Sequence, residues 1–282
     1  PVQKSNPRRD DINNYDNELY WECNEDNSDK YEDRSSISSY LNLMGEIKTE
    51  IIKRHIEVYD YFAALSIAKS LNTINKDAVL LLELACNRIM LKHSEVDRLR
   101  RNFKENIIPV QNIRNRKIIE YMLWLNIKLK RKEYVDFIRG LTPIFFNLFD
   151  IYTSDQLGID MKVYCVKKPS CGNEVLYLTR EGLNKTEQGK MFLEVLDKYF
   201  KNYRDNFYSS AQLTAIINEY SKDKDVVDKV NLLREAEESV RNLAAHEIVY
   251  VDDEFITKRC KYSTKQIFEA LKFMTNKVIP SM

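Results

Sequence analysis

The sequence predicts an all-α protein, and three observations carry that prediction. Only 6 Gly and 6 Pro are spread over 282 residues, too few for a turn-rich sheet protein. From Ser38 onward, apolar residues recur at three- and four-residue spacing in one segment after another, the period of an amphipathic helix. Alternation of apolar and polar residues, the mark of a half-buried strand, is confined to residues 159–180, IDMKVYCVKKPSCGNEVLYLTR. That stretch reads as a small β-hairpin around its Pro-Ser-Cys-Gly-Asn turn.

In chain order, residues 1–37 come first: rich in Asn, Asp and Glu, with isolated aromatics such as Tyr20 and Trp21 and no sustained period. They read as an acidic linker or the remnant of a preceding domain. Next come SSYLNLMGEIKTEIIKRHIEV and YDYFAALSIAKSL, then NKDAVLLLELACNRIMLKHSEVDRLRRNF as one long helix, then NIRNRKIIEYMLWLNIKL. Asn75 and Asn112 are the expected N-caps of the last two. These helices form a unit over 38–133, and the absence of a fixed period of about 34 residues leaves a repeat array unsupported. The second unit, 134–282, opens with the strongly apolar YVDFIRGLTPIFFNLFDIYTSDQ, kinked or restarted at Thr142–Pro143. After the hairpin, helices at 187–201, 209–221, 226–250 and 263–279 complete a bundle.

Composition narrows the function classes. No run of 18 or more apolar residues exists and the opening PVQKSNPRRDD has no apolar core, so neither a membrane span nor a signal peptide is expected and the protein reads as soluble and cytoplasmic. The start at Pro1 rather than Met points to a piece of a longer protein. Five cysteines, odd in number and scattered, suit reduced core thiols. Cys165 and Cys171 have no His near in sequence, too little for a zinc site, and no GxxxxGK or GxGxxG occurs, so neither metal nor cofactor is expected. The net charge of +1 hides an asymmetry: residues 10–33 hold ten acidic residues and one Lys, net −9, while residues 88–132 hold thirteen Lys or Arg against four acids, net +9. The basic stretch reads either as a solvated helix surface or as a face that meets phosphate, the acidic segment or a missing domain.

The helix at 226–250 carries the candidate chemistry, Arg241 and His246 with four residues between them. On a helix advancing about 100° per residue, with Arg241 at the origin, His246 falls at about 140° and the arc between holds Glu238, Asn242, Ala245 and Val249. Val240, Leu243, Ala244 and Ile248 form the opposite, core face, so the Arg–His face points away from the chain's own core. Arg88 and His93 share the spacing, but Leu81, Leu82, Ala85 and Ile89 fill their arc and Ser94 follows as a candidate cap; that pair reads as structural. His55, on an amphipathic helix, reads as a boundary residue. The plain alternative for Arg241 is an exposed ion pair with Glu237 or Glu238, His246 being merely solvated.

RNLAAHEIV resembles the Arg-polar-x-x-x-His signature of HEPN ribonucleases, including the polar Asn242 directly after the Arg and the place on the penultimate helix. YDYFAALSIAKSL, residues 59–71, is similar to the central helical linker domain of the accessory ribonucleases of CRISPR type III-A (Csm) systems. FIRGLTPIFFNLFDIY, residues 137–152, is similar to the opening of their HEPN domain. The likeness covers residues 38–282: a helical linker domain and a HEPN bundle, without a complete CARF domain, the family's sensor of cyclic oligoadenylates. It implies a metal-independent endoribonuclease of antiviral defence that cuts single-stranded RNA through attack by the RNA's own 2′-hydroxyl. It further implies a homodimer through the HEPN domain that brings two copies of the site into one cleft. His246 would transfer protons, Arg241 would stabilise charge, and Asn242 would orient one of them or the scissile phosphate. No cofactor is implied for this chain, and activation by a cyclic oligoadenylate belongs to a longer parent with the CARF domain. A non-catalytic helical adaptor, binding protein or nucleic acid through its basic helices, is the alternative from a different class.

Overall fold

The computed structural model describes residues 38–71, 74–105, 107–108, 112–170, 173–241 and 250–279, with residues 38–43, Ser170 and Arg241 described by backbone alone. The described chain is helical apart from one small sheet, so the all-α expectation holds. It divides into two compact units at Glu83–Leu84.

The first unit contains α1 (Ser38–Glu57), α2 (Tyr61–Lys69) and the opening of α3 (Lys76–Ile89). Tyr59 turns the chain at φ 60°, and Asp60 caps α2 by accepting the Ala63 N–H at 3.2 Å, a first-turn donor with no helical partner. Its small core, Ile52, Ala64, Ala68 and Leu82, uses two alanines one turn apart, which let α1 and α2 approach closely. Asn75 caps α3 as expected, accepting the Asp77 N–H at 2.8 Å.

In the second unit, α3 ends at Ile89 and α4 (His93–Arg100) begins anew, where one helix through the Asn75–Phe103 segment was expected. Leu91 takes φ 55°, and the Lys92 N–H reaches back to the Asn87 carbonyl at 2.9 Å, the bond of a Schellman ending. Gly usually marks such an ending; here Leu91 occupies it. Ser94 lies inside α4 and does not cap it; Lys92 holds that position without a side-chain bond. In α5 (Ile113–Lys130), Asn112 caps as expected, accepting the Asn115 N–H at 3.1 Å.

Then α6 (Tyr134–Arg139) and α7 (Leu141–Ile151) break at Gly140, ahead of Thr142–Pro143. Pro143 sits in the first turn of α7, where its missing N–H breaks no bond. A Cβ on Gly140 would stand 2.8 Å from Trp124 and 2.9 Å from Leu125, so this glycine lets α5 pack closely against the break. Leu141, Ile144, Phe145, Leu148 and Phe149 bury one stripe of α7, the spine of a core that runs from Ile118 to Ile279.

The hairpin is present: β1 (Cys165–Ser170) pairs antiparallel with β2 (Asn173–Leu178), from Cys165 opposite Leu178 to Ser170 opposite Asn173. A two-residue third strand, β3 (Asn206–Phe207), adds to β2. Leu178 turns into the core with Cys165 and Leu176 packed against it; Cys171 lies outside the described residues.

Around α7 stand α8 (Arg180–Asn184), α9 (Glu187–Phe200), α10 (Ser210–Tyr220), α11 (Lys224–Ala236), α12 (Asp253–Cys260) and α13 (Thr264–Val278). Capping boxes start α10 at Ser209–Gln212 and α13 at Ser263–Gln266, each satisfying two orphan donors. α10 packs against α7, α9 and α11, and α13 against α5, α7 and α11. No described helix is long and apolar enough to cross a membrane.

Candidate active site

α11 buries Val226, Val230, Leu233 and Ala236 along one stripe. Directly after Ala236 the helix widens into a π-turn, Glu237–Arg241, whose i→i+5 bonding admits one extra residue. Val240 is fully buried there, as the helical projection requires, and the turn packs against α6, α7 and α12. The sequence projection assumed an unbroken α-helix over 226–250. The π-turn interrupts it just before Arg241, so the angles between Arg241 and the residues that precede it are not those of a regular helix. Tyr250 is non-helical and 82% exposed.

Arg234, in the last turn of α11, forks across this region. Its NH1 is 2.6 Å from Glu237 Oε2 and its NH2 is 2.6 Å from Glu238 Oε1. Glu237 is buried and also accepts the Ser210 hydroxyl at 2.7 Å, which ties the π-turn to the first residue of α10. The two carboxylates that the plain ion-pair reading assigned to Arg241 are therefore both engaged by Arg234. Tyr199 of α9 stands against the same group, and burial holds its phenol above the usual value.

Arg241 closes the π-turn. Asn242, Ala245 and His246 lie outside the described residues. Beyond them, Val251 is buried, Asp252 caps α12 by accepting the Phe255 N–H at 2.8 Å, and Asp253 accepts the Thr264 N–H at 2.7 Å. The segment 242–249 thus joins two core anchors, Val240 and Val251.

The other two histidines have structural surroundings. His55 Nδ1 is 3.5 Å from Asp60. His93 sits beside two ion pairs: Arg116, almost fully buried, bonds Asp97 at 2.8 and 2.7 Å, and Arg88 grips Glu120 at 2.8 and 2.9 Å. Burial first, then Arg116 and Lys117, holds the His93 imidazole below its usual pKa. Among the described residues no three His, Cys, Asp or Glu side chains gather as metal ligands. Burial pushes the Cys165 thiol up to about 12, and it bonds the Met161 carbonyl at 3.5 Å.

A family model described as the Cas_Csm6 HEPN domain matches residues 107–279, and a second, the CRISPR-associated protein Csm6 6H domain, matches residues 38–89. The chain belongs to the Csm6 HEPN family. The likeness carried by RNLAAHEIV and by the segments at 59–71 and 137–152 therefore holds at the level of the family. A curated relative from Mycobacterium tuberculosis, named CRISPR system endoribonuclease Csm6, is 25% identical over 257 residues, 91% of this chain and 57% of the relative. Enterococcus italicus Csm6, solved bound to cyclic hexa-2′-fluoro-hexa-dAMP, superposes with a TM-score of 0.63 at 16% identity, over 87% of this chain and 54% of that one; this shows a shared fold. The chain spans a little over half the length of these Csm6 proteins.

Proposed function

We propose that this chain is a metal-independent endoribonuclease of type III CRISPR defence, acting on single-stranded RNA in the cytoplasm through a site shared across a homodimer. One observation supports the assignment of Arg241 in particular: it ends a π-turn whose acidic residues are already held by Arg234, and such turns recur at functional sites. The family, and a relative named as an endoribonuclease, supply the reaction class.

The chemistry needs few groups. The RNA 2′-oxygen attacks its own phosphorus, the bond to the 5′-oxygen breaks, and the proton lost from the 2′-hydroxyl is replaced by one delivered to the leaving 5′-oxygen. A His, titrating near neutrality, suits both transfers. The permanently charged fork of Arg241 suits the phosphorane oxygens, with Asn242 orienting one of the two or the scissile phosphate. One copy offers a single His; an isologous pair offers one to remove the proton and one to return it.

Cleavage is expected to continue in excess chelator and to leave 2′,3′-cyclic phosphate, or its hydrolysis product, and 5′-hydroxyl ends. End-group mapping with and without EDTA checks this, and loss of activity on chelation would end the metal-free mechanism. A longer parent with a sensor domain would answer a cyclic oligoadenylate; the Enterococcus relative was solved bound to a compound of that kind, cyclic hexa-2′-fluoro-hexa-dAMP. This chain is expected to cut at the same basal rate with or without cyclic tetra- and hexaadenylate, and stimulation by either would place a binding site within these 282 residues.

The adaptor reading relied on the basic stretch, and the structure weakens it. Arg88, Arg98, Arg100, Arg114, Arg116 and Arg131 are each held by a carboxylate, Glu120, Glu95, Asp97, Asp155, Asp97 and Glu133 respectively. A phosphate seeking a bidentate guanidinium at any of these six would first have to break an existing pair.

A further inference from the structure

We infer that Arg234 is a positioning residue: its fork onto Glu237 and Glu238, anchored through Ser210, holds open the π-turn that sets where Arg241 points. This rests on the reading of Arg241 as the group that meets the scissile phosphate.

A π-turn is rare because regular α-helix competes with it at every residue. Collapse of Glu237–Arg241 to α geometry would remove the extra residue from the turn and rotate everything after it by on the order of 100°, one residue's arc. Something must favour the wider turn, and the described contacts supply three restraints. Arg234 spans the entry to the turn, bonding residues three and four positions ahead at 2.6 Å each. Glu237 cannot follow a rotation without giving up Ser210, at 2.7 Å on a different helix. Val240 is locked in the core immediately before Arg241.

The arrangement has a local disadvantage that points the same way. Arg234 Nε is buried without a hydrogen-bond partner, so the guanidinium satisfies both carboxylates while leaving one of its own donors unmet. An ion pair retained for stability alone has little reason to keep that geometry, since buried pairs are often neutral against apolar replacements. Lys cannot reproduce the function, because a point charge cannot grip two carboxylates as a planar fork does.

The test compares steady-state RNA cleavage by Arg234→Met, Arg234→Lys and Ser210→Ala with that by Val226→Ala, a buried change at the far end of α11 that lowers stability without touching the π-turn. Arg234→Met is expected to lose about 10- to 100-fold in kcat with KM within about twofold, because a displacement near 1 Å in a positioned group is enough for such a loss. Ser210→Ala, which removes one hydrogen bond and should fold even if Arg234→Met does not, is expected to lose about 3- to 10-fold, and Arg234→Lys to fall between. On an Arg241→Lys background, Arg234→Met should add almost nothing, since both changes act through one group. If Arg241→Ala removes cleavage but Arg234→Met and Ser210→Ala match Val226→Ala in kcat, or if their losses simply add to that of Arg241→Lys, the positioning role is wrong while the site stands. If Arg241→Ala itself remains active, both fall together.

Discussion

Arg241→Ala and His246→Ala are each expected to lower cleavage of single-stranded RNA by at least about 100-fold, as general acid–base and charge-stabilising groups do when deleted. Asn242→Ala should lose less, because an orienting group neither transfers the proton nor carries the charge of the transition state. Sequence projection places Arg241 and His246 on the face opposite Leu243, Ala244 and Ile248, so melting temperature should change little. The comparison pair sharpens the result. Arg88 and His93 have the same spacing, yet Arg88 bonds Glu120 and His93 packs beside Arg116. Arg88→Ala leaves the buried Glu120 unpaired and is expected to cost about 1–3 kcal/mol of stability, below the range for fully buried pairs because solvent reaches about a third of the Arg88 side chain. The folded fraction should still cut RNA at the normal rate. Gel-based cleavage with matched melting curves separates the two classes, and a lethal His93→Ala beside a fully active His246→Ala would reverse the assignment.

Ala245→Trp is expected to abolish both dimerisation and cleavage while leaving the monomer folded. Ala245 falls between Arg241 and His246 in the helical projection, so a partner that brings a second Arg and His into the same cleft must approach over it. An indole there adds a side chain too large for close helix contact, and the sequence projection sets it apart from Leu243, Ala244 and Ile248, the core face expected of this segment. Sedimentation of the variant should show a monomer, and helical circular dichroism should match wild type. A dimer that persists with full activity would move the interface elsewhere.

Much of this fold was legible because burial writes itself at helical period. The helices expected at 187–201, 209–221 and 263–279 appear as Glu187–Phe200, Ser210–Tyr220 and Thr264–Val278, and each begins at a Thr or Ser that caps it. What escaped was set by tertiary contact or by backbone geometry. The break at Leu91 has no Gly or Pro to announce it. α12, Asp253–Cys260, is only eight residues long, too short for the periodicity of Ile256 and Cys260 to stand out. β3, two residues long, exists only because β2 is beside it. At the candidate site the residue types were visible in RNLAAHEIV, and Val240 was read correctly onto the core. The π-turn was not, since nothing in Glu237–Arg241 distinguishes it by composition from ordinary helix, and neither was the bond from Ser210 to Glu237 that ties the Arg234 fork to the preceding helix.

The extra residue in the turn Glu237–Arg241 also shows which kind of change this stretch can absorb. A substitution at half-exposed Ser239 keeps the number of residues between Val240 and the body of α11, and so keeps the phase of all that follows. Removing one residue, even one with no side-chain role, lets regular helix close and carries Arg241 around the axis. Chain length is therefore the constrained quantity in this turn, more than the identity of most residues within it.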